Sequence, residues 1–442
     1  AEYTAELLHT DKYSKCETSA DKQDSMIDMA TGTFRVRITG RATEDRSAKR
    51  SIIATFRRES FLKFVYFTDQ ENRDPQAATS ASDRSSQQAN CTNRLRTARQ
   101  GRGCVEIQFA TDDAVNGPLH TNDESVLVCG TPIFGREKTK DGRPAKTDAL
   151  EVSGPAPGHV PNSGCANTPK IWSPTGKFSA NTKPLKLPQS NQSLAAVAES
   201  GGRVYAGKTI VYLNGTTMDV TNYSANGTAK TTLGVPWPGN GVLYIKNNGA
   251  CNGEIPTDAD YDEPYACGNV YVSGTYAKPL TIAAANDVII RPTVGATLLA
   301  RSKDSDIKLA SGSDAVLGLI ANNFVRVGHK VNRTSSSCSN YNSTNEPTVT
   351  DVRIDAAIMS LQHSFIVDNY NCGRAGTLTV NGAIVQKFRG PVGTGSGGSI
   401  STGFVKDYWY DDRLRYRPPP YFLDPLEAAW ETVSTQEQVP AR

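Results

Sequence analysis

Three alternating aspartates are the residues of this sequence whose types and spacing best suit a metal ion. Asp258, Asp260 and Asp262 place carboxylates two residues apart, and a loop can turn such side chains inward. Clustered oxygens are the ligands that Ca²⁺ prefers in proteins. Glu263, however, stands where an EF-hand loop needs glycine, and no glutamate occupies the twelfth position of such a loop. The pattern predicts a solvated acidic loop, with a calcium site at the three aspartates as the alternative.

Four arginines in one short, Cys-bounded segment carry the chemistry for binding phosphate. They are Arg94, Arg96, Arg99 and Arg102. Binding a nucleic-acid backbone requires several such groups on one face. Because no aromatic residue is interleaved with them, a site that stacks single-stranded bases is disfavoured. The spacing predicts solvated charge, with nucleic-acid binding at these arginines as the alternative.

The sequence offers little for catalysis. No G-x-S-x-G nucleophile elbow occurs. His120 to Asp123 form a polar stretch that could line a groove, whereas His363 replaces a corner asparagine in a repeat, which indicates a structural role. Gly393 to Gly398 fit G-x-G-x-x-G, but no helix pattern follows to hold a phosphate, so a loop is expected there. We predict no catalytic residue and no cofactor other than the alternative of calcium.

Nine cysteines indicate export to an oxidising compartment. None forms C-x-x-C, and eight of them are sequence neighbours that flank polar loops rather than apolar runs. Each bridge would stabilise a loop with little core of its own by ~3 kcal/mol. Cys16 is left over, which predicts a partner upstream of Ala1. The expected pairs are Cys91–Cys104, Cys129–Cys165, Cys251–Cys267 and Cys338–Cys372.

Composition limits the classes of partner. The chain has 442 residues, 38% of them hydrophobic, and a net charge of +3. This composition is typical of a soluble globular chain, and so small a net charge does not by itself argue for a polyanionic partner. No apolar run is long enough to span a membrane. We therefore expect an extracellular protein of two to three domains.

The elements that must position these residues are mainly β-strands. Leu280–Ile290, Leu317–Val327 and Ile358–Val367 repeat one shape, in which a strand, a polar corner and a second strand follow one another. Repetition with irregular insertions is typical of a right-handed parallel β-helix, whose corner asparagines can stack from coil to coil. An antiparallel β-sandwich is the alternative, since it also has short strands at regular spacing.

The pattern divides the chain into four segments. Residues 1–67 are predicted to form a small antiparallel β module, in which Thr33–Thr39 and Arg50–Arg58 make a hairpin with a long loop. Residues 68–104 are predicted to be a surface excursion pinned by a disulfide. Residues 105–400 are predicted to be the β-solenoid with long loop insertions, and residues 401–442 a C-terminal cap over its open end.

Several strings of residues, spread over nearly the whole chain, resemble one family. Thr31–Gly40 and Arg50–Arg58 resemble the segment just after the N-terminal helix of PilX-like type IV pilus assembly proteins. Later strings resemble large actinobacterial members of that family, namely Val115–Asp123, Leu317–Val327, Ser360–Tyr370 and Tyr410–Tyr416. The resemblance implies that residues 1–67 are a pilin-like module.

The resemblance also implies a function. We expect a non-enzymatic cell-surface protein, a minor or tip component of a type IV pilus-like filament that acts in assembly or adhesion. Its partners would be other pilin-like subunits, with surface glycan or DNA as candidate ligands. The family has a hydrophobic N-terminal helix that this sequence lacks, so we expect a processed or truncated form. Contact with a membrane would require that absent helix. The alternatives are a β-helical carbohydrate-active enzyme and a glycan- or DNA-binding surface module.

Overall fold

The chain folds mainly into β-strands. The computed structural model describes residues 2–8, 27–28, 33–43, 48–140, 142, 144, 147–262, 264–291, 306–334, 337–341, 349–396 and 398–441. Cys16 and Glu263 lie outside these residues. Within the described part of the chain, no helix is both long enough and apolar enough to cross a membrane.

The strands and helices have the following bounds in chain order. The first strands are β1 (Glu2–Leu8), β2 (Ile27–Asp28), β3 (Thr33–Arg41), β4 (Lys49–Arg58), β5 (Tyr66–Arg73), β6 (Gln108–Ala110), β7 (Ala114–Asn116), β8 (Leu119–Thr121), β9 (Val126–Cys129), β10 (Ile133–Gly135), β11 (Leu150–Val152), β12 (His159–Pro161) and β13 (Lys170–Trp172). They are followed by β14 (Arg203–Ala206), β15 (Thr209–Gly215), β16 (Thr217–Tyr223), β17 (Ala229–Pro236), β18 (Val242–Lys246), β19 (Val270–Tyr276), β20 (Leu280–Ala284), β21 (Val288–Ile290), β22 (Ile307–Leu309), β23 (Leu317–Ala321) and β24 (Val325–Val327). The last are β25 (Val331–Arg333), β26 (Cys338–Asn340), β27 (Arg353–Ser360), β28 (Phe365–Val367), β29 (Arg374–Arg389), β30 (Gly393–Ser396), β31 (Ser399–Tyr410) and β32 (Trp430–Gln438). The α-helices are α1 (Ala81–Cys91), α2 (Arg96–Arg99) and α3 (Ser193–Glu199), and 3-10 helices span Phe61–Lys63, Pro75–Ala77, Pro256–Asp258 and Asp412–Arg415.

An antiparallel sheet forms from the N-terminal strands. The predicted hairpin is present, since β3 pairs antiparallel with β4 from Thr33↔Arg57 to Arg41↔Lys49. β1 covers the other edge of β3, and β32 pairs with β4. Phe34 stacks on Phe56 at 5.0 Å between ring centroids and meets Trp430 edge-on at 4.7 Å. The C-terminal strand therefore completes the N-terminal sheet.

A larger sheet contains both parallel and antiparallel pairs, and parallel ladders form its main part. One ladder runs in the order β14, β18, β20, β23, β27, β29, β5, β8 and β11, and every neighbouring pair in it is parallel. A second ladder joins β19, β21, β24 and β28, also in parallel. An antiparallel β-sandwich would not have such ladders.

The repeated strings of the sequence lie side by side. Leu280 pairs with Leu317, and Leu319 in turn pairs with Ile358. Their strands are continuous apolar runs because both faces are covered, as is usual for parallel sheets. Leu319 packs into one buried cluster and Ile320 into the other. Successive side chains of one strand therefore point to opposite faces of the sheet and pack into two different cores.

The polar corners stack as the sequence suggested. Asn323 donates its amide to Asn286, 37 residues earlier, and Asn286 donates to Asn269 at 2.5 Å. The strand register places His363 beside Asn323, where its ring stacks on Phe324 at 4.4 Å. Hydrogen bonds along this stack of corner side chains link successive strands in one register.

Four disulfides staple the loops. The bonded pairs are Cys91–Cys104, Cys129–Cys165, Cys251–Cys267 and Cys338–Cys372, which are the pairs expected from their order in the sequence. The segment boundaries proposed from the sequence stay a prediction. Strand β5 spans the proposed boundary at residue 67, and β31 spans the one at residue 400.

Candidate functional site

A groove opens where the antiparallel sheet meets the end of the parallel ladder. Its cavity has a volume of about 660 Å³. The walls come from the end of β4, the 3-10 helix Phe61–Lys63, strands β8 and β11, the loop around Lys183 and the end of the 3-10 helix Asp412–Arg415. Ser60 begins the 3-10 helix, because its hydroxyl accepts the N–H of Leu62 at 3.2 Å. We call this cavity the basic groove.

His120 forms part of the floor of the basic groove. The parallel register places it next to Glu151 on one side and Phe67 on the other. Its Nδ1 lies 2.8 Å from Glu151 Oε2, and its ring stacks on Phe67 at 5.6 Å. Strand pairing, rather than sequence proximity, thus assembles this pair of titratable side chains.

Asn122 contacts the other ring nitrogen of His120, Nε2. Its Oδ1 accepts the backbone N–H of Leu185 at 2.8 Å, and its Nδ2 donates to Leu185 O at 2.7 Å and to Asp69 Oδ1 at 2.8 Å. These bonds set the orientation of the amide, so its Oδ1 faces His120 Nε2 at 3.1 Å. That nitrogen must therefore donate. Both ring nitrogens of His120 thus lie against oxygen atoms of the protein.

Burial also changes a carboxyl at the back of this network. Asp69 accepts from Asn122, yet burial raises its pKa because the charged form loses hydration. Beside the groove, burial likewise raises the pKa of Asp424, although Arg57 and Arg58 act in the opposite direction. Both carboxyls therefore keep their protons to a higher pH than an exposed aspartate does.

Cations outnumber acids on the walls of the basic groove. Arg57 is held in place by the carbonyls of Leu414, at 3.2 Å, and Arg415, at 3.0 Å. The guanidinium of Arg415 lies 5.3 Å from the ring centroid of Tyr410. The lining cations are Arg57, Arg58, Lys63, Lys183 and Arg415, and the lining acids are Glu59 and Glu151. An anionic ligand is the chemistry that this balance favours.

The three aspartates proposed for calcium do not converge. Asp258 is largely exposed and lies 3.4 Å from Arg333. The carboxylate of Glu254 instead accepts the backbone N–H groups of Asp260, at 3.0 Å, and Asp262, at 3.2 Å. No group of three or more His, Cys, Asp or Glu side chains suited to a metal ion occurs among the residues that the structure describes. Calcium stays an untested alternative at this loop.

The four predicted nucleic-acid-binding arginines do not share an open face. Arg99 is fully buried, with its Nε 2.8 Å from Glu106 and its Nη2 2.7 Å from Asp123. This internal ion pair removes Arg99 from contact with any phosphate. Arg102 is exposed and donates to a backbone carbonyl, while Arg94 and Arg96 are half-buried. The segment ties α2 to the sheet and does not present a row of free cations.

Sequence reasoning found one wall of the groove and missed the others. The sequence allowed the stretch from His120 to Asp123 to line a groove, and His120 does so. Glu151 lies 31 residues further along the chain, and Lys63, Lys183 and Arg415 come from three distant segments. Strand pairing brings Glu151 to His120, and the packing of distant segments adds the three cations, which no local pattern encodes.

Comparisons with known proteins place the chain in no family. No family model matches it, and no curated protein is similar enough to match. Among solved structures, the crystal structure of the competence-associated pilin ComZ from Thermus thermophilus matches over 100% of this chain and 84% of that chain. The identity is 11% and the TM-score is 0.23. At so low a TM-score the likeness carries no argument about fold or function.

Proposed function

We propose that this chain is a non-enzymatic extracellular protein, a minor or tip component of a type IV pilus-like filament, and that its basic groove binds an acidic glycan. The observation that carries the binding role is the groove, where five cations and two acids line a cavity of about 660 Å³. Ligand sites of proteins are usually concave and few, with a small number of placed polar groups. The groove has these properties.

The location and the filament role have separate support. Disulfides persist in oxidising compartments, and four of them support an extracellular location. The filament role is supported by the strings that resemble PilX-like proteins, among them Thr31–Gly40 and Tyr410–Tyr416. Adhesion or assembly through other pilin-like subunits follows from that resemblance.

We further infer that the parallel ladders are coils of one right-handed β-solenoid. The support is the pairing of strands one repeat apart, as in Leu280↔Leu317, together with the stacked corner asparagines. Connections between parallel strands of one sheet are almost always right-handed. A solenoid of this kind is a rigid carrier for loops that contact a surface.

The non-enzymatic role is supported by the state of His120. A general base needs a lone pair within reach of the proton that it removes. Both ring nitrogens of His120 are engaged, by Glu151 at 2.8 Å and by Asn122 at 3.1 Å. With both nitrogens held by protein oxygens, the imidazole shapes the floor of the groove rather than taking a proton from a ligand.

An acidic glycan fits the groove better than DNA does. Nucleic acid spreads its phosphates along an extended surface, so a protein that binds it needs cations in a row. Here the cations converge on one cavity, whereas Arg99 of the arginine segment is buried in an ion pair with Asp123. A short carboxylate-bearing oligosaccharide can place one charged group among Arg58, Lys63 and Lys183.

Isothermal titration calorimetry tests the proposal. The probes are oligogalacturonate, a neutral galacto-oligosaccharide of equal length and a DNA duplex, each at low and at high salt. We expect only oligogalacturonate to bind, and the Lys63→Gln/Lys183→Gln variant to bind it at least about tenfold more weakly. Lys278→Gln, at an exposed lysine outside the groove, is the matched control and should bind like the unaltered protein.

Other outcomes would overturn parts of the proposal. Equal binding of the neutral and acidic sugars would refute the charge argument, and salt-dependent binding of DNA alone would favour the nucleic-acid alternative. New reducing ends after incubation with oligogalacturonate would favour the enzyme. The filament role has its own test, because a version that carries a pilin-type N-terminal helix should enter purified filaments of a host that makes them. Absence from those filaments would refute that role alone.

A further inference from the structure

A second set of polar residues crosses four neighbouring parallel strands of the large sheet, partly exposed in the middle and buried at its two ends, Asp355 and Asn116. The register aligns Asp355 of β27 with Asn381 of β29, then with Trp409 of β31 and Asn116 of β7. Asp407 lies two residues before Trp409 on the same face, and Lys140 reaches the surface from a loop. We call these residues the sheet-face strip, and none of them lines the basic groove.

Hydrogen bonds hold the sheet-face strip in a fixed arrangement. Asn381 Nδ2 donates to Asp355 Oδ1, and Lys140 Nζ donates to Asn381 Oδ1, both at 2.5 Å. Asp407 Oδ1 accepts from Trp409 Nε1 at 2.8 Å and from Asn116 at 3.2 Å. The indole plane is thereby set by its neighbour. Groups whose orientation is fixed before binding lose little entropy when a ligand arrives.

The charges of the sheet-face strip balance. Arg353 donates to both oxygens of Asp355, at 2.9 and 2.8 Å, and is itself half exposed. The cations are Lys140 and Arg353, which adjoins the strip, and the anions are Asp355 and Asp407. A surface with two of each sign does not favour a polyanion or a polycation. It offers amide, carboxylate and ammonium groups that pair with hydroxyls.

The aromatic ring supplies the remaining contact. Trp409 is partly exposed at the centre of the strip, with Lys140 Nζ 5.7 Å from its ring centroid. An indole combines a large apolar face with one polar atom, which suits a ligand that has apolar C–H faces and polar edges. Four strands at the usual spacing span about 14 Å. Hydroxyl-rich, uncharged, elongated molecules of this length are short oligosaccharides.

We propose that the sheet-face strip is a second binding site, for a neutral, unbranched oligosaccharide that lies across the strands with one sugar ring on Trp409. The ligand's hydroxyls would bond to Asn381, Asp407 and Lys140. This site is independent of the basic groove, whose ligand is anionic. The two sites would allow the protein to contact a mixed polysaccharide surface at two points.

Intrinsic fluorescence and calorimetry with cellopentaose, mannopentaose and maltopentaose test the proposal. At least one of the three should bind with a Kd below about 10 mM, since a Kd of millimolar order is expected for a few weak contacts. Trp409→Ala should weaken that binding at least about tenfold, whereas Trp409→Phe, which keeps a ring, should lose less. Trp237→Ala is the matched control, because that indole donates to Pro279 O outside the strip.

A second variant keeps the proposal open to refutation if Trp409→Ala does not fold. Lys140→Met/Asn381→Ala removes two polar groups from the strip and no ring, and it should weaken the same probe at least about tenfold. Failure of all three probes to bind would overturn the proposal. So would a folded Trp409→Ala, or the double variant, that binds like the unaltered protein. The Lys63→Gln/Lys183→Gln variant should bind the neutral probe unchanged, which separates the two sites.

Discussion

Removal of Arg326 is the perturbation that tests the buried charge network most sharply. Its side chain is fully buried and bonds to Asp368 and Glu254, each at 2.8 Å, and to Asp287 at 3.3 Å. Asp368 also accepts the hydroxyl of Tyr261 at 2.9 Å. Breaking a buried pair by removing one partner costs about 3–5 kcal/mol, because an uncompensated charge stays inside. We expect Arg326→Met to lower the free energy of unfolding by that amount at pH 8.

The loss of unfolding free energy in Arg326→Met should depend on pH. Burial already raises the pKa of Asp287 and of Asp368, and Arg326 is the main influence that opposes it. Without the guanidinium, both pKa values rise further above their unfolded values near 4. A carboxyl with a raised folded pKa binds more protons in the folded state, so stability falls as pH rises through that pKa. The destabilisation should therefore shrink as the pH falls from 8 to 5.

Urea unfolding with the disulfides intact, followed by tryptophan fluorescence from pH 5 to pH 8, measures this effect. Arg417→Met is the matched control, because Arg417 pairs with Asp314 on the surface, where such pairs contribute about 0–1 kcal/mol. Arg326→Met/Asp368→Asn should recover part of the loss and flatten its pH dependence. A loss below about 1 kcal/mol, or one that is the same at every pH, would refute the reasoning.

Two further predictions concern a disulfide and the buried histidines. Cys338→Ser/Cys372→Ser opens a loop of 34 residues and should cost about 4 kcal/mol of unfolding free energy, measured by urea titration; a cost near zero would contradict the chain-entropy argument. Burial opposes charge on His363, but the carboxylate of Asp74 at 3.2 Å outweighs burial and raises the pKa of His363. The contribution of this pair to folding stability is therefore complete below about pH 6.5 and is lost as the pH rises through the raised pKa. Burial lowers the pKa of His329, so stability instead falls as pH drops below about 6.5. In melting curves from pH 5 to pH 8.5, His363→Gln should flatten the alkaline side and His329→Gln the acidic side, and the reverse assignment would contradict both.

Local patterns predicted the local parts of the fold. The alternation in Thr33–Thr39 predicted a strand, and a second β-rich run predicted its hairpin partner. Self-similarity between Leu280–Ile290 and Leu317–Val327 placed those segments side by side, since repeated strands with equal corners stack most easily on each other. In both cases the residue pattern that specifies the contact lies within the paired segments themselves.

Pairings between distant segments left no such signal. β5 inserts beside β29, and β32 joins β4, although hundreds of residues separate the partners. Nothing in a β-rich run states which edge it will join, because backbone hydrogen bonds are the same for every partner. The walls of the basic groove depend on these pairings, so only His120 could be placed there from the sequence.

The arginine segment shows how an exposed-looking pattern can be buried. Arg99 lies among polar residues, which suggested solvent contact. Its partners Glu106 and Asp123 follow in the sequence, but their carboxylates converge on it only after α2 docks against the sheet. A charge surrounded by matched partners can be buried at tolerable cost, and polarity alone does not reveal that.

The most direct test of the central claim is a crystal structure of the protein with an acidic oligosaccharide, at a concentration that saturates the calorimetric signal. The account predicts the oligogalacturonate in the basic groove, with a carboxylate within hydrogen-bond distance of Lys63 or Lys183 and with the His120–Glu151 pair intact beneath it. An empty groove in crystals where the same ligand occupies another surface would contradict the account.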